Sequence, residues 1–236
     1  MSPVLALLLM QPAPPPLPPS VVAVYTGIPY LQEPVPRDVR FTSHSVTITF
    51  NQKESVMESV TQIRNPGSGT VNTTLAVPAF VQADDNYVLT WATTIATWSG
   101  QQLPLMYPGL PDIPPQRQIS RNVNFYSTTA TARVTLPPRS TTVLRINSTA
   151  PLPQASGDPL QYILYHTGSA VRIPGGIGQF NWSVRFRPNQ VFAVDSHSPE
   201  TTAFQIGPRG AFFQAKDFRG TVRDMKIAFY PEPENN

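Results

Sequence analysis

The chain contains no cysteine, which excludes disulfide staples, thiol nucleophiles and cysteine-based metal sites. Export is not excluded by this, because 236 residues bury enough apolar surface to fold without a staple. Charge is scarce as well. Asp, Glu, Lys and Arg make up 13% of the residues, about half the usual share. The net surplus is +3, and basic residues never cluster beyond pairs such as Arg185 and Arg187. Nucleic-acid binders carry a basic stripe because phosphate neutralisation drives their affinity, so nucleic acid is not an expected partner. The chain also lacks an apolar run near the roughly 20 residues that cross a bilayer as a helix. No transmembrane span is expected.

Proline, by contrast, is abundant: the 28 copies are about twice the usual number. The polar residues are mainly Thr, Ser, Asn and Gln. Thr and Val suit a pleated surface, and Pro interrupts helices, so the composition predicts short strands joined by rigid turns. Val4 to Met10 resembles the apolar core of a secretory signal, although no Lys or Arg precedes Arg37. Residues 1–12 are therefore expected to form an apolar N-terminal segment, a truncated signal. Residues 13–34, with the polyproline tract Ala13 to Ser20, are expected to form a stiff linker.

The body alternates apolar and polar residues at strand spacing. Val46, Ile48 and Phe50 share one parity, as do Ala130, Ala132, Val134 and Leu136, and Phe180, Trp182, Val184 and Phe186. Met225, Ile227 and Phe229 repeat the pattern near the end. Lys53 to Arg64 keeps no single parity, which predicts a bulge, and the Asn65–Gly69 run predicts a hairpin-like turn. Tyr87 to Trp98 reads as one long strand with Tyr87, Leu89, Trp91 and Ile95 inward. Leu103 to Gln118 reads as a proline-rich ordered loop. No segment keeps a helical period. These patterns predict an all-β, antiparallel β-sandwich, either one extended sandwich or two packed immunoglobulin-like or jelly-roll-like halves. Its first block is expected at 35–150 and its second at 158–232, packed on the first.

Catalytic patterns are weak. The three histidines, His44, His166 and His197, have no metal-ligand spacing. His44 is expected to be a hydrogen-bonded histidine near a strand end. Asp195-Ser196-His197-Ser198 holds the residue types of a hydrolytic triad, but neighbours in an extended chain point in alternating directions; a polar turn is expected. Gly175-Gly176-Ile177-Gly178 lacks the following Lys-Ser/Thr of a phosphate loop and predicts a tight turn. Asp84 and Asp85 are weak calcium candidates because further acids at loop spacing are missing. Trp98 is predicted to lie off the core face near Tyr107, where aromatics can stack on sugar rings or fill interfaces. Trp98, Tyr107, His166 and His197 are thus the candidate ligand-binding residues, with no catalytic residue and no cofactor expected.

One ordered set of motifs carries a resemblance. Gln161 to Ser169 is followed by Pro174-Gly175-Gly176-Ile177-Gly178, then by Trp182 to Phe186, Lys216-Asp217-Phe218 and Asp224 to Phe229. Arg37-Asp38-Val39, His44 to Ile48 and Arg64-Asn65-Pro66-Gly67 fit in the first block. Over roughly Pro36 to Tyr230 this order resembles a family of uncharacterised bacterial extracytoplasmic β-sandwich proteins. The chain departs from that pattern after the Thr-Gly turn, where Ala170 and Val171 replace an expected aromatic. The resemblance implies a fold and a location outside the cytoplasm, not a reaction. The expected function is a non-enzymatic, exported structural or binding protein whose partner is a protein or glycan at the cell surface. The alternatives are a carbohydrate-binding module and a self-assembling jelly-roll shell protein.

Overall fold

The computed structural model describes residues 20–21, 23–50, 54–83, 87–88, 93–106, 117–120, 123–151, 154–155, 158–186, 193–198, 204–207, 210–220 and 225–230. In chain order the strands are β1 Ser20–Val21, β2 Ala23–Thr26, β3 Tyr30–Gln32, β4 Arg40–Phe50, β5 Glu54–Asn65 and β6 Val71–Ala83. There follow β7 Tyr87–Val88, β8 Thr93–Trp98, β9 Gln101–Leu103, β10 Arg117–Ser120, β11 Val123–Leu136, β12 Ser140–Pro151 and β13 Gln154–Ala155. The last are β14 Asp158–Tyr165, β15 Ile177–Phe186, β16 Ala193–Ser198, β17 Phe204–Gly207, β18 Gly210–Phe218 and β19 Met225–Tyr230. A single 3-10 turn, Gly168–Arg172, is the helical element among the described residues. The fold is an all-β sandwich.

One layer is an eight-stranded sheet in the order β17-β18-β15-β4-β5-β12-β8-β9. Opposite it lie a five-stranded sheet, β10-β11-β6-β2 with β3 also on β6, and a four-stranded sheet, β13-β14-β19-β16. The two smaller sheets meet at Gly27, which bridges in parallel to His166; the Ile28 N–H donates to the His166 carbonyl at 2.9 Å. A Cβ on Gly27 would stand 2.7 Å from both the His166 Cβ and its carbonyl oxygen. Only glycine allows the two backbones to approach this closely. Contacts across the layers, from Trp98 to Thr135 and from His44 to Tyr165, fix which faces meet.

The inward parities of β11, β15 and β19 match the sequence pattern. Ala130, Leu136, Phe180, Trp182, Met225 and Ile227 are all buried. The chain does turn at 65–69, but not as a hairpin, because β5 and β6 lie in different sheets; the turn has a further role. The buried Asn65 amide donates to the carbonyls of Gly69, Leu136 and Pro137, and the Arg139 N–H donates to the Gly67 carbonyl. One asparagine thereby braces the β5–β6 turn against the β11–β12 turn.

Several expectations are corrected. Residues 23–32 lie inside the expected linker, yet they form β2 and β3, and Ile28, Tyr30 and Leu31 are buried; their apolar side chains leave water by adding strands to β6. Of the two arrangements expected, one extended sandwich or two packed halves, the first is found. β15 of the second block pairs with β4 of the first, so one sheet runs through both. That pair is parallel, as are β1–β7 and the Gly27–His166 bridge; the other described strand pairs are antiparallel. The bulge expected in β5 lies in β4 instead, where the register shifts between Phe41 and Ser43. β5 is regular: its inward positions include Ser55, Ser59 and Thr61, and these polar residues mask its parity.

Of the Tyr87–Trp98 stretch, β7 Tyr87–Val88 and β8 Thr93–Trp98 are described. Within β8 Ala96 is buried and Ile95 is 51% exposed, the reverse of the expected face. Leu89 and Trp91 lie outside the described residues. Part of the expected loop at 103–118 has regular pairing, through a Met106–Thr131 bridge and β10. The Asp195–Ser198 segment is not a turn: it lies in β16, whose register on β19 shifts between Val194 and Ser196.

Candidate functional site

Two polar arrangements stand out, one sealed in the core and one open on the surface. The sealed one centres on His44 of β4, which the inward parity of that strand drives fully under cover. One ring nitrogen, Nδ1, is 2.7 Å from Thr61 Oγ1 on β5, and Nε2 is 2.6 Å from the Tyr165 hydroxyl on β14. The ring also stacks on Phe180, with centroids 5.9 Å apart and planes 2° apart. Both nitrogens are partnered, as a buried imidazole requires. Burial pushes His44 down to about 3 and raises the Tyr165 hydroxyl well above its usual range, so both are neutral at ordinary pH. The arrangement is a buried hydrogen-bonded link between the layers.

The other histidines sit elsewhere. His166 is half-buried at the Gly27 bridge, where its backbone joins the two smaller sheets. His197, also half-buried, stacks on Phe204 at 4.6 Å with planes 2° apart. Its Nδ1 is buried with no hydrogen-bond partner among the described residues. The structure thus brings none of the three histidines together. Trp98 is half-buried against the core and donates from Nε1 to the Thr135 carbonyl at 3.0 Å. It ties β8 to β11 rather than presenting a stacking face. Tyr107, Asp84 and Asp85 lie outside the described residues. Among the described residues, no group of three His, Cys, Asp or Glu side chains is placed to hold a metal.

The open arrangement lies on the outer face of the five-stranded sheet. Because Ala132, Val134 and Leu136 face the core, Arg133 and Thr135 of β11 must face out. Arg133 is paired with Thr74 of β6, which is paired with Gln32 of β3; Thr135 is paired with Asn72. These cross-strand rows form the floor and one wall of a groove of about 560 Å³, and Glu33 and Pro34, just beyond β3, complete it. The volume falls in the range of small-molecule sites, about 300–1,000 Å³. The Thr135 hydroxyl donates to Asn72 Oδ1 at 2.8 Å, and the Thr73 hydroxyl donates to the Gln32 carbonyl at 2.6 Å. These bonds hold the floor in register. One carboxylate, one guanidinium, an amide and several hydroxyls converge there. Such a set suits a small molecule rich in hydroxyls, or one carrying both charges. The Trp98 bond to the Thr135 carbonyl supports this wall from below.

The alternation of Asn72 and Thr74 with Val71, Leu75 and Val77 is visible in the sequence. It did not reveal the groove, because Glu33 and Pro34 fall in the stretch expected to be linker.

No protein-family model matches the chain, and no curated protein matches it. Among solved structures, the chain resembles a "putative nutrient binding protein" from Legionella pneumophila at a TM-score of 0.63. The match covers 90% of this chain and 73% of that one at 12% identity. The likeness is one of fold. An M1 zinc metallopeptidase from Deinococcus radiodurans matches at a TM-score of 0.31 and 13% identity, over 82% of this chain and 42% of that one. A score that low carries no argument.

Proposed function

We propose that the protein is a non-enzymatic, extracytoplasmic binding protein whose groove on the outer face of β3, β6 and β11 takes a small polar solute. The groove carries this reading: Glu33, Asn72, Thr74, Arg133 and Thr135 converge on one volume of about 560 Å³ while the polar core cluster is sealed. Polar groups that converge on a concave surface fix the orientation of a ligand. A carboxylate and a guanidinium lining the same groove favour a sugar or an amino acid over an apolar molecule. The fold neighbour described as a nutrient-binding protein is consistent with that class. The apolar run Val4 to Met10 and the proline tract after it support export.

A thermal-shift panel of neutral mono- and disaccharides and zwitterionic amino acids tests the site. At least one compound is expected to raise the melting temperature of the wild type, and Arg133→Ala is expected to lose that shift. A panel without a hit, or a hit untouched by Arg133→Ala and Asn72→Ala, overturns the assignment. Cell fractionation tests the location: the protein belongs in the extracytoplasmic fraction, and recovery solely in the cytosol would contradict export.

A further inference from the structure

The outer face of the eight-stranded sheet, on the opposite side of the molecule from the groove, carries a second pattern. Arg40 of β4 and Arg64 of β5 are paired directly across the strands, and both are exposed. Like charges placed opposite each other on a sheet repel. Arg40 Nη1 is held by the carbonyls of Arg37 and Val39, which orients its guanidinium without neutralising it. Lys216 lies one row further along, through the pairings Lys216–Gln179, Gln179–Ser43 and Ser43–Gln62. Arg145 and Arg185 continue the face, both exposed. Against these five cations, the acids with described side chains on the face are Glu58 and Asp217, and Glu54 shares the outward parity of Glu58 in β5. None of the five is ion-paired to another described residue.

Between the cations the surface is neutral, with the half-buried Val56, Val60 and Val143 at outward positions of β5 and β12 and a polar row on the central strands β4 and β15. Ser45 and Thr47 of β4 lie beside Asn181 and Ser183 of β15, with the Asn181 amide donating to Ser45 Oγ and the Ser183 hydroxyl to Thr47 Oγ1, each at 3.2 Å. Asn181 Oδ1 is buried and has no hydrogen-bond partner among the described residues. Side chains here are short, so the central strands present hydroxyls and amides at regular strand spacing.

We propose that this face binds an acidic polysaccharide, with the guanidinium and ammonium groups on its carboxylates and the Ser/Thr/Asn rows on its hydroxyls. Charge complementarity selects an anionic chain. A nucleic acid is disfavoured because binding it takes denser positive charge and a platform of stacking aromatics. The described aromatic side chain here is Phe212, 37% exposed. A bilayer surface is disfavoured because the exposed apolar side chains here, Ile95 of β8 and Phe212 of β18, stand near opposite edges of the sheet and form no contiguous apolar wedge. The proposal stands apart from the groove, and its test separates the two.

The experiment is affinity electrophoresis of the full chain through gels containing polygalacturonate or neutral dextran, with a short DNA duplex and anionic phospholipid vesicles as competitors. Polygalacturonate should retard the protein and dextran should not. The double variant Arg64→Glu/Lys216→Glu should weaken retardation by about tenfold, and added salt should weaken it in the wild type. Arg133→Ala, in the groove, should leave it unchanged. If the double reversal fails to fold, Arg64→Gln/Lys216→Gln carries the same test with a smaller loss. The proposal is overturned by equal migration in both gels, by retardation that neither double variant changes, or by displacement at least as effective with DNA or vesicles as with free polygalacturonate.

Discussion

The His44 cluster and the Arg133 groove are both polar, and both depend on residues from strands distant in sequence, yet they sit on opposite sides of a burial boundary. His44 and Tyr165 are 121 residues apart and bond inside the core. Every hydrogen-bonding ring atom of His44 is used internally, and burial holds the ring neutral. In the groove, Arg133, Asn72 and Thr135 face water, and their remaining donors and acceptors are open to a ligand. A buried polar group must be satisfied by its own fold, because leaving it unpaired costs about 1–3 kcal/mol. A polar group at the surface pays no such penalty and remains free for recognition. Conspicuous chemistry in the core therefore points to architecture, and the less conspicuous outer rows point to binding.

The sharpest way to break that contrast is His44→Ala. It removes packing against Phe180 and strands the hydroxyls of Thr61 and Tyr165, so stability should fall by about 4 kcal/mol in urea denaturation. A loss below about 1 kcal/mol would show that the link between the layers is dispensable.

The next test is acid. His44 titrates near 3 in the folded chain and near 6.5 when unfolded, so the unfolded state takes up the proton first. The stability from keeping His44 neutral is complete above about pH 6.5 and is lost as pH falls toward 3, about 2–3 kcal/mol by pH 4.5. Urea melts at pH 7.5 and 4.5 should show this loss in the wild type and a smaller one in His44→Gln. Equal losses would remove His44 from the account. Tyr165 acts in the opposite direction: its hydroxyl stays neutral in the fold, so its contribution is lost as pH rises above about 10.

Trp98→Phe keeps most of the apolar packing and removes the bond to the Thr135 carbonyl. It should cost about 1 kcal/mol and also weaken solute binding, because Thr135 forms part of the groove wall. Arg133→Ala is the mildest change. Its expected effect on stability is within about 0.5 kcal/mol, with solute binding lost. A large drop in melting temperature would assign Arg133 a structural role instead.

Much of the sandwich was legible in the sequence, because period-two alternation reports burial directly wherever one strand face is wet. The inward sets in β11, β15 and β19 follow from it. Three features were not legible. The parallel pairing of β4 with β15 joins segments more than 130 residues apart, and alternation does not specify partners. β5 hides its inward face because Ser55, Ser59 and Thr61 are buried polar residues. The inward face of β8 is not legible because the large apolar Ile95 is exposed and the small Ala96 is buried, which inverts the parity that hydrophobicity suggests. The candidate site was half legible: Asn72 and Thr74 stood out as polar positions of β6, but Glu33 lay in a stretch whose prolines suggested a linker. The aromatic signal at Trp98 pointed near the groove for a different reason, since its indole supports the wall and does not stack.

The central claim is that recognition occurs on the outer rows and not at the buried histidine. An amide NMR titration with the sugar or amino acid that gives the largest thermal shift tests it most directly. The account predicts perturbations at Asn72, Thr74, Arg133 and Thr135, with His44 and Tyr165 unmoved. Perturbations centred on His44 and Tyr165, or absent from β6 and β11, would contradict it.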